Sequence, residues 1–287
     1  MSELKAFLIP NLDKPNSLNC TTEVCRELLK IGVIPCLEDD KQKHFTRIGA
    51  LFGSFDSIMR GCNFVVTIGG DGTLLHAAKK AAFYGKPVVG VNVGRLGFMS
   101  FIEPNNLSVL NRVTNGDYNT ENRMMLEIIK QSGNIEQSYY ALNDAVISKG
   151  IKAQIIDLNV ACNDKAVSSY RADGIILSTP TGSTAYNMAA GGPVISPYVE
   201  CITMTPICAH SLVSRTIIFS PEDVISVTSG KERDGCEVYL TVDGEEAIKI
   251  DIEDTIIIKK SSVYVKLLNL EYKDFFEVLN QKVLLRG

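Results

Sequence analysis

Phe64-Val65-Val66-Thr67-Ile68-Gly69-Gly70-Asp71-Gly72-Thr73-Leu74-Leu75 is the stretch on which the fold turns. Its first five residues are β-branched or aromatic and read as a short buried strand. The glycines stop that strand, and 74–83 then carries helical spacing. The same alternation runs outward on both sides. Residues 6–9 read as a buried strand, and Thr21 is placed to cap a helix with Glu23 in its first turn. Val24, Leu28 and Leu29 give that helix an apolar face, Gly32 ends it, and 33–36 is extended again. Another apolar strand follows at 88–91. Continuous apolar strands separated by helices indicate a parallel sheet covered on both faces.

The pattern changes near Arg123. Residues 124–130, 139–149, 155–162, 166–170 and 174–177 are strand-like, with Asn163-Asp164 as a hairpin turn. Further strands are expected at 223–228, 236–242, 246–252, 254–259 and 263–268. The tail 273–285 returns to helical spacing through Phe276, Leu279 and Val283, and is expected to pack back on the first domain. The expected domains are therefore 1–122 with the tail 269–287, α/β in character, and a β-rich 123–268.

The composition agrees with such a chain. Its 287 residues suggest about two domains at ~150 residues each. With 45% hydrophobic and 22% charged residues it can bury a real core, which excludes disorder, collagen and coiled coil. A net charge of -4 supplies no cationic surplus for a nucleic-acid backbone. The eight cysteines, at 20, 25, 36, 62, 162, 201, 208 and 236, form no C-x-x-C pair, and no His stands at zinc spacing. They read as buried free thiols in a reducing compartment. The N-terminus is no signal peptide, and no apolar run approaches the ~18 residues of a membrane span. A cytoplasmic protein is expected.

Two loops carry chemistry. In Gly69-Gly70-Asp71-Gly72-Thr73, glycines permit close backbone approach and the helix start attracts anions. Asp71 is the distinctive residue. A carboxylate there repels phosphate unless it takes a proton from an attacking hydroxyl or helps hold a metal. A tight turn with Asp71 as the helix N-cap is the other reading. The second loop, Thr179-Pro180-Thr181-Gly182-Ser183-Thr184-Ala185-Tyr186, is rich in hydroxyls and offers the Tyr186 ring for stacking on a base. An ordinary Ser/Thr turn would look the same. Arg171 could meet a phosphate and Asp173 a ribose or amide, or both could form surface ion pairs. Asn143-Asp144 interrupts an apolar strand and needs polar partners, from a ligand or at a bulge.

Taken in order, 69–73, 91–98, Asn143-Asp144, 170–197, 205–211 and Val242-Asp243-Gly244 closely resemble the NAD kinase family over roughly residues 5–270. The resemblance is most specific at 171–197. The GGDGT element is shared in related form by lipid kinases and phosphofructokinases. The resemblance implies a Rossmann-like N-terminal domain with a β-sandwich-like second domain. It also implies transfer of the terminal phosphoryl of ATP to the 2′-hydroxyl of the adenosine ribose of NAD, with a divalent metal (Mg2+) on the donor phosphates. Asp71 then matches the proton acceptor, with Gly72 beside it and His76 placed to reach substrate phosphate. Gly69, Gly70 and Thr73 form the donor-phosphate loop. Asn143, Asp144, Arg171 and Asp173 match dinucleotide contacts, and Thr184, Ala185, Tyr186, Asn187, Met188 and Ala189 match the loop around the adenosine. Gln154 and Ala209 match pocket-lining positions.

The sequence departs from the family pattern in places. Asp144 is one methylene shorter than the commoner Glu, Glu245 stands where bacterial relatives often carry Gln, and Thr216 replaces a common Pro. His210 aligns with a loop His and reads as structural, while Tyr139, Tyr140, Phe275 and Phe276 read as core or interface residues. The resemblance further implies a homodimer or homotetramer. A lipid kinase of the GGDGT type and a non-catalytic NAD(P) sensor are the alternatives. The first lacks a basic amphipathic segment, and the second gives Asp71 no purpose.

Overall fold

The computed structural model describes residues 3–46, 48–94, 97–99, 102–151, 154–211, 214–230 and 236–282. The first half runs β1 (Leu4–Pro10), α1 (Ser17–Lys30), β2 (Val33–Glu38), β3 (Leu51–Gly53), α2 (Phe55–Gly61), β4 (Phe64–Gly69), α3 (Asp71–Phe83), β5 (Val88–Asn92), α4 (Asn111–Asn115) and β6 (Asn119–Arg123). The β-rich part follows as β7 (Leu126–Ser132), β8 (Ile135–Ala141), β9 (Asp144–Lys149), β10 (Ile156–Cys162), β11 (Lys165–Ala172) and β12 (Gly174–Ser178). After α5 (Tyr186–Ala189) come β13 (Ile202–Ile207), β14 (Ile217–Phe219), β15 (Ile225–Ser229), β16 (Val238–Val242), β17 (Ile248–Ile250) and β18 (Thr255–Lys260). The chain closes with β19 (Val265–Asn269) and α6 (Phe275–Lys282). It divides into two compact units, Met1–Asn122 with Val265–Gly287, and Arg123–Tyr264.

The first unit is built on one sheet of order β3-β2-β1-β4-β5-β19-β6. The β1–β2, β1–β4, β2–β3, β4–β5 and β5–β19 pairs are parallel. Moving outward from β1 to β3 on one side and to β5 on the other places a change of strand order beside β1 and β4. In open α/β sheets ligands bind at the carboxyl ends of the strands flanking such a switch. Every residue of β4 is buried, as a strand with helices on both faces requires. Helix α1 sets Cys20, Val24, Cys25 and Leu28 against this core.

The second unit is a sandwich of two six-stranded sheets, β11-β10-β15-β18-β7-β8 and β14-β13-β12-β9-β16-β17. Their recorded pairings are antiparallel, and alternate residues of both sheets, from Leu126 and Leu158 to Ile175 and Leu240, share one core. Asn163 and Asp164 take φ of 49° and 64°, the left-handed pair that a two-residue hairpin needs between β10 and β11.

Several expected elements differ. Helix α1 begins at Ser17 with Asn16 as its left-handed N-cap, so Thr21 sits inside and bonds back to Ser17 O at 2.7 Å. The expected strand 139–149 is two strands in different sheets, because the chain crosses between them at Leu142-Asn143. The strand expected in the β-rich part at 263–268 joins the first sheet instead, as β19 beside β5. Helix α6 buries Phe275 and Val278, while Phe276 is exposed, so its inward face is turned by one residue. Val283 lies outside the described residues. Neither β3 nor α2 was legible as a separate element. None of the eight cysteines forms a disulfide; six are buried as expected, but Cys162 is half-buried and Cys208, at the left-handed residue after β13, is exposed. Burial pushes the Cys20 and Cys62 thiols up to about 11. No helix among the described residues is long and apolar enough to cross a membrane.

Candidate active site

The glycine strap sits at the carboxyl end of β4. Gly70 is extended (φ −132°, ψ −170°) and takes the N-cap position of α3. Asp71 is therefore the first helical residue and not the cap, which corrects the turn-only reading. Its carboxylate is held by the loop that follows β5. Phe98 N donates to Asp71 Oδ2 at 2.7 Å and Met99 N to Oδ1 at 3.2 Å. Gly97 makes that approach possible, since a Cβ on it would stand 1.9 Å from Asp71 Oδ1. Arg95 and Leu96 of this loop lie outside the described residues. The result is an oriented carboxylate at a helix N-terminus, about one-third exposed.

A cavity of about 660 Å³ opens beside the strap, lined among others by Lys14, Lys41, Gly72, Thr73, His76 and Lys80. Asp13 and Glu38 share the lining. Three ammonium groups and the amino end of α3 suit an anionic occupant. Lys14 presses on the strap, since a Cβ on Gly70 would stand 2.8 Å from its Nζ. Thr73 Oγ1 accepts from Asn11 Nδ2 at 3.3 Å, which ties the helix start to the end of β1. Gly69 is buried beneath, its carbonyl accepting from Val93 N at 2.9 Å. A bowl of equal volume in the same unit, lined by Glu103, Arg112 and Glu271, carries none of the motif residues.

In the second unit the organising group is Asp243. Its Oδ2 accepts from Leu142 N at 2.9 Å, and its Oδ1 from Asn143 N at 2.8 Å and Asp144 N at 3.0 Å. One carboxylate thus satisfies three successive amides where the chain changes sheets. Asn143 O in turn accepts from Thr179 N at 2.9 Å, which docks the hydroxyl-rich loop on the crossing. Gly182 packs there, with room for no side chain, since its Cβ would lie 2.2 Å from Asn143 O. A cavity of about 430 Å³ results, lined by Asn143, Asp144, Ser148, Ala185, Tyr186 and Asp243 with three neighbours. Tyr186 is 47% exposed, which leaves its ring available for stacking.

Asp144 is buried in that cavity wall. Burial first, and then the charge of Asp243, pushes its carboxyl up to about 7. The protonated form, about half-populated near pH 7, can donate a hydrogen bond to a ligand oxygen. The folded state holds the proton that the unfolded chain releases near pH 4. Stability associated with Asp144 is therefore greatest at low pH and is lost as pH rises toward 7. Asp144→Asn, which cannot ionise, is expected to gain in melting temperature relative to wild type between pH 5 and pH 8. A constant difference across that range in calorimetric melts would contradict the assignment.

The remaining predicted residues separate. Arg171 Nε pairs with Asp157 Oδ1 at 3.4 Å and Asp173 Oδ1 with Lys149 Nζ at 2.6 Å, so both take part in ion pairs within the unit. Arg171 and Ala209 meet in another cavity of about 440 Å³, with His210, Ser211, Ser214 and Arg215. His210 is exposed there, its amide donating to Arg171 O at 2.7 Å. Thr184 Oγ1 turns back to Thr181 O at 3.4 Å. Asn187 is fully buried, accepting from Thr205 Oγ1 at 2.6 Å and donating to Pro193 O at 3.1 Å, so it braces the loop from inside. Gln154, Met188, Ala189 and Glu245 line none of these cavities. The clamping role of Asp243, the amides at 98 and 99, and the cation of Lys14 were not read from the sequence. Gly97, in a glycine-containing loop straight after a strand, was the one available signal.

Residues 7–118 match the ATP-NAD kinase N-terminal domain and 142–270 the ATP-NAD kinase C-terminal domain. The NAD kinase of Thermoanaerobacter sp. (strain X514) is 38% identical over 289 residues, covering 97% of this chain and 98% of the relative. That of Heliobacterium modesticaldum is 41% identical over 227 residues, covering 78% and 80%. Among solved structures, yeast NADH kinase complexed with NADH superposes with a TM-score of 0.87 at 25% identity, covering 98% of this chain and 87% of that one. An NAD kinase from Archaeoglobus fulgidus in complex with ATP shares the fold with a TM-score of 0.73 at 24% identity, covering 99% and 100%.

Proposed function

The chain belongs to the ATP-NAD kinase family and is a phosphotransferase that makes NADP from NAD and ATP; from that premise we propose that Asp71 accepts the proton of the adenosine 2′-hydroxyl as it attacks the terminal phosphorus of ATP. The observation that carries this reading is the carboxylate of Asp71, fixed on the Phe98 and Met99 amides at the edge of a glycine strap and a cation-lined cavity. Transfer is in line through a loose transition state, so positioning and electrostatics supply most of the acceleration. Donor phosphates lie against Gly69, Gly70, Gly72 and Thr73, with Lys14 and His76 facing them across the cavity. The dinucleotide is held by Asn143, Asp144 and Tyr186, with Arg171, Asp173 and Ala209 at its further end.

Among the described residues no three His, Cys, Asp or Glu side chains gather into a set that could hold a metal. A divalent ion carried by ATP would neutralise charge on the donor phosphates beside Gly69, Gly70 and Thr73. The enzyme works in the cytoplasm, which the unpaired buried thiols support. It self-associates as a dimer or tetramer. The exposed Ile135 and Ile218 on the sheet-edge strands β8 and β14 support that reading.

Purified protein with ATP, magnesium and NAD is expected to form NADP, followed with an NADP-specific dehydrogenase. Chelation of the metal is expected to abolish product, and added magnesium to restore it. Full turnover in excess chelator would overturn the metal's role. No NADP under any divalent ion would overturn the reaction.

A further inference from the structure

The C-terminal helix α6 ends on the catalytic carboxylate. Lys282, in its last turn, places Nζ 3.8 Å from Asp71 Oδ2. The same ammonium lies 4.1 Å from the centre of the Phe98 ring, over its face. Phe98 is also the residue whose backbone amide donates to Asp71 Oδ2 at 2.7 Å. Its ring packs on Phe275, one helix length earlier, with centroids 6.3 Å apart. Phe275 is buried and stacks edge-on against Phe276 at 5.4 Å. Two ends of α6 therefore bracket one residue of the loop that holds Asp71.

The separation of 3.8 Å is longer than a hydrogen bond, so the ammonium acts on Asp71 through space. A half-buried pair at this separation contributes little to stability. The ammonium has a second contact, with the ring of Phe98, the residue whose amide donates to the same carboxylate oxygen. Another cation, Lys14, lies against Gly70. It belongs to the donor cavity, whereas Lys282 does not line that cavity.

We propose that Lys282 is a positioning residue for the phosphoryl transfer, holding the Asp71 carboxylate and the 98–99 loop in the orientation that receives the ribose proton. This rests on Asp71 being the proton acceptor. The C-terminal helix then has a role in catalysis beyond packing Phe275 on Phe98. Lys282 lines neither the cavity beside the strap nor that of Asn143 and Tyr186, so its loss is expected to lower the chemical step and leave binding intact.

The test is a double-mutant cycle on the full-length enzyme. Lys282→Met keeps the stem and removes the charge, and Lys282→Arg keeps both charge and ring contact. Lys282→Met is expected to lower kcat about tenfold or more, as misplaced catalytic groups do. KM for ATP and for NAD should stay within about twofold, and Lys282→Arg should recover most of the loss. In an Asp71→Asn background, Lys282→Met is expected to cost less than about twofold further, since its target is gone. Three results would each overturn the proposal: unchanged kcat in Lys282→Met, an equal loss in both backgrounds, or a loss that follows a lowered melting temperature and that Lys282→Arg does not rescue. A failure of the Asp71 reading shows separately, as full activity in Asp71→Asn alone.

Discussion

Asp71→Asn is expected to lower kcat by roughly 10²–10⁴-fold while NAD still binds, the range by which positioned general bases accelerate proton transfer. The substitution is nearly isosteric. Its amide oxygen can still accept one of the two hydrogen bonds that Phe98 and Met99 donate at 2.7 and 3.2 Å. The other side of an amide carries protons and faces a donor, so part of the loss comes from a less firmly seated side chain. The larger part is chemical, because an amide has no basicity for the hydroxyl proton. Residues assigned to the dinucleotide, Asn143, Asp144 and Tyr186, line a cavity of their own in the second unit and are untouched. Calorimetric titration with NAD should therefore match wild type. A parallel loss of NAD affinity would show that Asp71 serves binding.

Asp243→Ala is expected to be the most damaging substitution for stability. It orphans the amides of Leu142, Asn143 and Asp144, which now bond to one carboxylate at 2.8–3.0 Å. Leu142 and Asp144 are buried, so water cannot replace the lost acceptor. An unsatisfied buried donor costs about 1–3 kcal/mol, so the two buried ones together cost on the order of 2–6 kcal/mol. In a protein of this size that lowers the melting temperature by roughly 5–20 °C. NAD binding should fail with it, because the crossing at 142–144 carries both Asn143 and Asp144. Asp243→Asn keeps one acceptor oxygen and should lie between. An alanine variant that melts within ~2 °C of wild type would contradict the clamp.

The parts of the fold that local chemistry dictates were legible. The run from Phe64 to Phe83 announced strand, turn and helix because its apolar, glycine and helical segments do not overlap. Asn163-Asp164 announced a hairpin because few residue pairs adopt two successive left-handed conformations at low cost. Sheet membership was not legible. Residues 139–149 are uniformly strand-like, and nothing in their period marks the change of sheet at Leu142. β19 reads like its antiparallel predecessors, although it pairs parallel to β5 at Leu267 and Val88, far apart in sequence. The site behaved similarly. Asp71 and Tyr186 were visible as candidates, although a capped turn and an ordinary Ser/Thr turn would each have looked the same. Asp243 was visible as a motif member, yet its task depends on amides about a hundred positions earlier. Lys282 gave no signal, because a lysine ending an amphipathic helix is what a solvated helix also shows. Asn187 was read as a ligand contact because it lies in the adenosine loop, and only the packing turns it inward toward Thr205.

The central claim is that the ribose hydroxyl attacks ATP with Asp71 as its proton acceptor. A single-turnover experiment, with enzyme in excess over NAD and magnesium–ATP added rapidly, isolates the chemical step from binding and product release. The account predicts complete conversion to NADP by wild type, with the new phosphorus resonance on the adenosine 2′-position. It predicts that NAD stays bound and unphosphorylated on Asp71→Asn over the same interval. Equal single-turnover rates in the two proteins would contradict it.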